Sequence, residues 1–388
     1  MAIMNSMESA LGGLNCELHC HSSGDPIEQV YTGFRLLHEQ GLLRVKIKPG
    51  HRYEPGTYSV NLLEARVEVP GLRSGQPLRL FFDVDDQWRA PDDLRQADYY
   101  FSRSGSSQLF AAHPRGNRVL PMGLSYPVYS ADSWPLQRAL WAMKGGGGLK
   151  SLIRHVPWLA RLFQVQSSAA FCQTRNFEGR PRIDAEPRIL LMTQTWDPGR
   201  VSDQAEREDR LRINEMRAEC IRAMRHHFPG LFYGGLRHSP HAVQHYPDCL
   251  LPDASLAKKW NYLKLMHASS ICIATTGLLG STGWRFAEYV AAAKAIVTEP
   301  LLTAPAGPLC EGVNYSTFQT PQECVELAGS LVDSPQRRLE MMRANLTYYH
   351  GYLRPDMLVW NAITTAILRE LADSRQGAAP QLAGQVHP

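Results

Sequence analysis

The 388-residue sequence lacks several features that would place it in a specialised class. Its eight cysteines include no CxxC pair, which argues against a zinc ribbon or a disulfide scaffold. The longest run without Lys, Arg, Asp or Glu, Leu265 to Trp284, contains six Ser or Thr and three Gly and is a poor membrane span. The N-terminal MAIMNSMESALGG lacks the basic start and apolar core of a signal peptide. We therefore expect a cytoplasmic protein with reduced thiols.

The sequence also lacks a strong excess of charge of either sign. Its 41 Lys and Arg against 37 Asp and Glu give a formal net charge of +4, so nothing global points to a nucleic-acid partner. With 44% hydrophobic residues, the chain is long enough to bury two ordinary domain cores.

Strand-like and helix-like segments alternate along the chain, which is typical of parallel sheets with crossover helices. We therefore predict an α/β fold of two doubly wound, Rossmann-like domains that face a cleft, over residues 1–185 and 186–353. A long charged helix is predicted over 203–227. The predicted strands are 15–21, 42–48, 78–86, 97–104, 117–125, 188–198, 231–236, 270–277 and 294–300.

The segment 274–301 has the most specific pattern in the second half. A strand is followed by the turn Gly280-Ser281-Thr282-Gly283, a helix that carries Glu288, and another strand. A helix entered through small residues exposes backbone N–H groups and a partial positive charge, which suits a diphosphate. Glu288 could then accept hydrogen bonds from ribose hydroxyls. The alternative is an ordinary βαβ unit with a tight turn and a surface glutamate.

This segment is similar to the nucleotide-sugar-binding region of GT-B glycosyltransferases, in the Gly280–Gly283 loop, in Glu288 and in the Ala293–Val297 strand. The resemblance implies transfer of a sugar from a nucleotide-sugar donor to a saccharide or lipid-linked acceptor, without a metal cofactor. Bacterial surface polysaccharide or lipopolysaccharide assembly is the implied setting, by analogy alone. Many retaining members carry an acid eight positions before this glutamate, where this chain has Gly280. The stereochemical outcome therefore stays open.

In such enzymes the loop after the first strand faces the cleft and commonly carries the base that activates the acceptor. Here that loop is SSGDP (22–26), so the resemblance makes Asp25 the candidate base and His21 its substitute. Asp25 could equally cap the helix that starts at Pro26. ELHCHSSGD also resembles the first motif of the polymerase and histidinol phosphatase family, in which His19 and His21 would hold a metal ion of a phosphoesterase.

Asp83-Val84-Asp85-Asp86 presents a second pair of interpretations. A D-x-D motif holds a divalent cation in GT-A glycosyltransferases. We prefer the interpretation that these are acids at the end of a strand, which hold no metal and could line the acceptor side of the cleft.

Three basic residues are candidates for binding the donor phosphates: Arg200, Lys259 and Arg285. A third class of function, a non-catalytic protein that binds sugar nucleotides, would bind the donor without turning it over.

Residues 133–177 contain no acid, and tryptophans and leucines accompany the basic residues over 134–164. This composition fits an interfacial helix pair in peripheral contact with an anionic membrane, on its cytoplasmic face, or a flap that packs on the protein. A helix over 354–373 is expected to cross back to the first domain, as in GT-B proteins. Residues 374–388 are expected to be disordered. The basic residues between 133 and 177 are Arg138, Lys144, Lys150, Arg154, Arg161 and Arg175.

Overall fold

The structure is a computed structural model that describes residues 13–20, 25–49, 62–86, 96–130 and 171–377. Six strands in this part of the chain form a first sheet in the order β2-β1-β3-β4-β5-β6. Neighbouring strands run parallel except at β3, which is antiparallel to both β1 and β4. The strands are β1 (Leu14–Cys20), β2 (Leu43–Pro49), β3 (Leu62–Glu68), β4 (Leu78–Asp83), β5 (Tyr99–Ser102) and β6 (Val119–Pro121).

Five further strands form a second sheet in the order β11-β10-β9-β7-β8, with parallel pairing throughout. Numbered within this sheet, the order is 2-1-3-4-5, a common doubly wound topology. The point at which the strand order reverses lies between β7 and β9. The strands are β7 (Ile189–Thr193), β8 (Phe232–Leu236), β9 (Ile271–Ala274), β10 (Ala295–Thr298) and β11 (Ser316–Thr317).

Helices connect these strands and cover the sheets. In the described residues they are α1 (Glu28–Glu39), α2 (Ser107–Ala112), α3 (Thr174–Phe177), α4 (Gln204–His227), α5 (Pro240–His245), α6 (Lys259–Ala268), α7 (Trp284–Ala291), α8 (Pro321–Asp333), α9 (Pro335–Tyr348) and α10 (Pro355–Gly377). A π-helical turn, Tyr349–Leu353, separates α9 from α10.

Successive residues of the second sheet point to opposite faces, and both faces are buried. Leu190 of β7 and Cys272 of β9 lie in one apolar cluster with α6 and α7, whereas Ile189 and Ile271 lie in another with α4, α8 and α9. A parallel sheet needs helices on both faces because each face is apolar. This sheet, with these helices, is the second domain.

The last helix belongs to the core of the first domain. Ile363 and Ile367 of α10 share an apolar cluster with Val30 and Phe34 of α1 and with the first sheet. The two helices approach so closely that a Cβ on Gly33 would lie 2.1 Å from the carbonyl oxygen of Pro355. The chain thus returns from the second domain to the first.

The predicted α/β fold of two domains that face a cleft is confirmed by these sheets. One interpretation was wrong: the first sheet is mixed, because β3 was not predicted and runs antiparallel. Residues 374–377, assigned to a disordered tail, continue α10. Six of the seven cysteines whose side chains the structure describes are buried, and Cys310 is exposed. The amphipathic segment 134–164 lies outside the described residues.

Candidate functional site

A cleft of about 490 Å³ opens where the carboxyl ends of strands from both sheets meet. The first domain contributes Asp86 and Arg103, from the loops after β4 and β5. The second domain contributes the loops after β7, β8 and β9 and the first turns of α6 and α7. Open α/β sheets bind ligands outside the carboxyl ends of their strands, near the point at which the strand order reverses. We refer to this space as the interdomain cleft.

The glycine-rich loop 277–283 forms one wall of the interdomain cleft and leads into α7. Gly280 has a φ of +75°, which glycine adopts without steric cost. Leu279, with a φ of +56°, adopts the same region, and its backbone N–H donates to Asp209 Oδ2 of α4 at 2.9 Å. Gly283, the N-cap of α7, offers no side-chain acceptor to the first turn. Phe286 N–H donates to Gly283 O at 3.1 Å, and the N–H groups that precede it at the start of α7 provide a place for an anion.

The side chains of the interdomain cleft are predominantly cationic. Among the described residues, two carboxylates line it, on Asp86 and Glu288. Five cationic side chains line it as well, so the site favours a ligand that carries at least two negative charges. These five are Arg103, Arg217, Arg237, Lys259 and Arg285.

Glu288 is the centre of a charged network at the start of α7. Its carboxylate, 3% exposed, accepts from Lys259 Nζ at 2.6 Å, from the Tyr262 hydroxyl at 2.6 Å and from Arg285 Nη1 at 3.0 Å. Burial alone would raise the pKa of Glu288, but the charges of Lys259 and Arg285 lower it below its ordinary value. A carboxylate offers about four acceptor positions, so three donors leave room for a ligand hydroxyl.

Arg217 of α4 holds together the two loops at the point where the strand order reverses. Its guanidinium donates to Gln194 O after β7 at 2.6 Å, and to Thr275 Oγ1 and Thr276 O after β9 at 2.9 and 2.8 Å. Burial lowers the pKa of Arg217 to about 10, so the side chain remains charged at neutral pH. Arg217 was not predicted from the sequence, since one arginine on a long charged helix carries no distinctive signal.

Arg103 links the first domain to the glycine-rich loop. Nη2 donates to Thr282 O at 2.8 Å, and Nη1 pairs with the Asp86 carboxylate. This arginine was also missed, because residues 97–104 were predicted as a strand and Arg103 was taken as part of it. Asp86 was noted in the sequence as one of the strand-end acids that could line the acceptor side of the cleft.

The structure brings five of the eight predicted donor-binding residues to the interdomain cleft: Lys259, Ser281, Gly283, Arg285 and Glu288. Gly280 and Thr282 lie beside it and line a smaller depression that also includes Glu299. Arg200 is not brought to the cleft lining. Its side chain is 76% exposed and pairs with Asp197 at 3.3 Å.

The residues proposed for acid–base or metal chemistry in the first loop are only partly described. His21 and the side chain of Asp25 lie outside the described residues. His19 Nε2 lies 3.8 Å from Glu17 Oε2, and Glu17 Oε1 pairs with Lys48 at 2.6 Å. Within the described ranges, no group of three or more His, Cys, Asp or Glu is arranged to hold a metal ion. In those same ranges, no helix has the length and apolar character needed to cross a bilayer.

No protein-family model and no curated protein matches the chain. Solved structures that resemble it include the C-terminal domain of a group 1 family glycosyl transferase, LpcC, from Francisella tularensis. That domain is 9% identical over 46% of this chain and 96% of its own, with a TM-score of 0.32. The wall teichoic acid polymerase TagF is 11% identical, with a TM-score of 0.29; the match covers 73% of this chain and 60% of TagF.

A third similar structure is HepE from Anabaena, in complex with UDP and glucose. It is 11% identical over 91% of this chain and 98% of its own, with a TM-score of 0.36. These TM-scores are low, so the assignment of the fold rests on the strand order of the two sheets and not on similarity to these structures.

Proposed function

We propose that the protein is a glycosyltransferase that transfers a sugar from a nucleotide-sugar donor to an acceptor bound in the interdomain cleft. One observation carries the proposal: an uncapped helix N-terminus and five cationic side chains converge on a cleft at the carboxyl ends of two α/β sheets. A nucleoside diphosphate supplies the negative charge that such a site favours. The sequence resemblance to GT-B enzymes supports the same assignment.

In this proposal the diphosphate lies at the first turn of α7, within reach of Lys259 and Arg285. These groups stabilise the negative charge that grows on the nucleoside diphosphate as the bond to the sugar breaks. Glu288 holds the two cations in place and accepts a hydrogen bond from the ribose. Closure of the two domains excludes water, because hydrolysis of the donor is the competing reaction. The stabilising charges all belong to the protein, and we expect no metal requirement.

The proposed function is tested by binding of nucleoside diphosphates. We expect UDP, GDP or dTDP to raise the temperature of the first thermal unfolding transition. A ligand at one hundred times its Kd stabilises the folded state by about 2.7 kcal/mol. Differential scanning calorimetry measures the shift, with the parent nucleosides as controls for the phosphates. If no nucleoside diphosphate shifts the transition and inorganic pyrophosphate does not bind in titration calorimetry, the donor site is not where we place it.

For the acceptor, we propose a saccharide or a lipid-linked saccharide of a bacterial surface polysaccharide. The basic, tryptophan-containing segment 134–164 supports the lipid-linked form, since such a segment suits an anionic bilayer surface. We expect the protein to sediment with vesicles that contain phosphatidylglycerol and to be released as salt screens the charges. A variant with Arg154 and Arg161 changed to glutamine should bind more weakly. Equal binding to neutral vesicles, or none to either kind, would favour a flap.

A further inference from the structure

Arg103 is held rigidly at the carboxyl edge of the first sheet. It directly follows β5, its backbone N–H donates to Asp83 O at the end of β4 at 3.0 Å, and its side chain is only 6% exposed. A buried guanidinium needs acceptors for its five N–H groups. The described acceptors come from two places: Val84 O and the Asp86 carboxylate in the loop after β4, and Thr282 O across the cleft.

The contact with Thr282 fixes where Asp86 lies. Thr282 immediately precedes Gly283, the N-cap of α7, so Arg103 joins the Asp86 loop to the proposed diphosphate site. The Asp86 side chain is 58% exposed and faces the interdomain cleft. A carboxylate on the first-domain side is thus positioned opposite the cationic wall of the second domain.

The other two acids of the run differ from Asp86 in their surroundings. Asp83 is buried, and its two oxygens accept from the Asp85 N–H at 3.0 Å and from the Tyr100 hydroxyl at 2.8 Å. Burial raises the pKa of Asp83 to about 7. Neither Asp83 nor Asp85 lines the interdomain cleft. Of the three, only Asp86 is exposed to a molecule bound there.

We propose that Asp86 is the catalytic base that removes the proton of the acceptor hydroxyl, and that Arg103 is the positioning residue that holds it. This inference rests on the proposed function. In the step, the acceptor oxygen forms a bond to the anomeric carbon, and the bond from that carbon to the diphosphate oxygen breaks with its electron pair on the nucleoside diphosphate. The hydroxyl proton passes to the Asp86 carboxylate. A single displacement of this kind inverts the configuration at the anomeric carbon.

The assignment differs from the sequence-based hypothesis for Asp25, and three matched substitutions separate them. Asp86→Asn keeps the shape of the side chain and an oxygen that accepts from Arg103, but it removes the base. We expect release of nucleoside diphosphate to fall by about 10²–10⁴-fold, while the protein still folds and its affinity for nucleoside diphosphate is not reduced. Asp85→Asn should stay within about threefold of the wild type, since it leaves the Asp86 carboxylate in place. Asp25→Asn tests the sequence-based hypothesis in parallel.

The measurement is release of nucleoside diphosphate from UDP-glucose, UDP-N-acetylglucosamine and GDP-mannose, with water and glycerol as acceptors. A wild-type protein that binds nucleoside diphosphate but releases none from these donors contradicts the proposed function and, with it, this step. A wild type that turns over, together with a fully active Asp86→Asn variant, overturns the assignment of Asp86 alone. An inactive Asp25→Asn variant beside an active Asp86→Asn variant moves the base to the first loop.

The positioning role of Arg103 has its own test, by chemical rescue. Arg103→Ala removes the guanidinium and leaves a space that guanidinium chloride at non-denaturing concentration can fill. We expect turnover to fall by about 10²-fold, as for loss of orientation in an active site, and to recover in part with added guanidinium but not with sodium chloride. Recovery should be absent in the double variant with Asp86→Asn. A loss of turnover that guanidinium never restores, in a variant that still folds, would contradict the positioning role.

Discussion

Replacement of Glu288 by glutamine should weaken the binding of a ribonucleoside diphosphate by about 1.5–3 kcal/mol, the range for hydrogen bonds to charged groups. Glutamine keeps the size of the side chain and an oxygen that can accept from Tyr262. It loses the charge that orients Lys259 and Arg285, and one of the oxygens available to a ribose hydroxyl. The effect is expected on the nucleoside part of the ligand more than on its phosphates.

Two ligands that lack the ribose hydroxyls serve as controls in titration calorimetry. The 2′,3′-dideoxy analogue has no ribose hydroxyls at these positions, so its affinity should hardly differ between wild type and Glu288→Gln. Inorganic pyrophosphate should bind the variant at least as well, because a negative charge beside the anion site has been removed. If the dideoxy analogue is weakened as much as the ribonucleotide, Glu288 acts on the site only through the two cations.

The same substitution has a signature in the pH dependence of stability. The folded-state pKa of Glu288 is lowered by Lys259 and Arg285, so its stabilising contribution is present above the unfolded-state pKa of about 4.3. This stabilising contribution is lost as the pH falls through the lower folded-state pKa of Glu288. The wild type and Glu288→Gln should therefore differ most in stability near neutral pH and converge in acid.

The part of the site that could be predicted from the sequence lies in one contiguous segment. The glycine-rich loop, α7 and Glu288 occur within a few residues of each other, and small residues before a helix have a direct consequence for backbone N–H exposure. The second sheet was predicted for a related reason. Its central strands β7, β9 and β10 are short apolar runs, because both faces are buried against helices.

Strand β3 was not predicted because its sequence, LLEARVE, departs from a buried apolar run. Glu64 is 2% exposed, yet it is compensated by Arg66 at 2.8 Å and by Arg79 of the adjacent β4 at 2.9 Å. A buried carboxylate is stable only when it is paired with cations. One of the two partners of Glu64, Arg79, lies on another strand, so the pairing is not visible in the sequence of β3. The position of Arg103 opposite α7 could not be predicted either, since its acceptor there, Thr282 O, lies 179 residues away and is a backbone group that any residue provides.

Replacement of Arg217 by methionine should destabilise the second domain by about 3 kcal/mol, since each acceptor left without a donor costs about 1–3 kcal/mol. Methionine fills most of the volume but leaves Gln194 O and Thr276 O without this donor. Arg207→Met, on the exposed side of the same helix, is the matched control and should change stability by less than about 0.5 kcal/mol.

Loss of Arg217 should affect the donor site as well as the stability of the second domain, because the acceptors of Arg217 lie in the loops that form the cleft wall. Thr276 O and Thr275 Oγ1 directly precede the glycine-rich loop, and Gln194 lines the cleft from the neighbouring strand. Amide exchange over 275–283 should therefore be faster in Arg217→Met, and nucleoside diphosphate affinity should fall. Arg217→Lys should rescue neither, since one ammonium group cannot span three acceptors that a planar guanidinium reaches at once. If exchange in this loop is unchanged while stability drops, Arg217 supports the core of the domain and does not order the cleft.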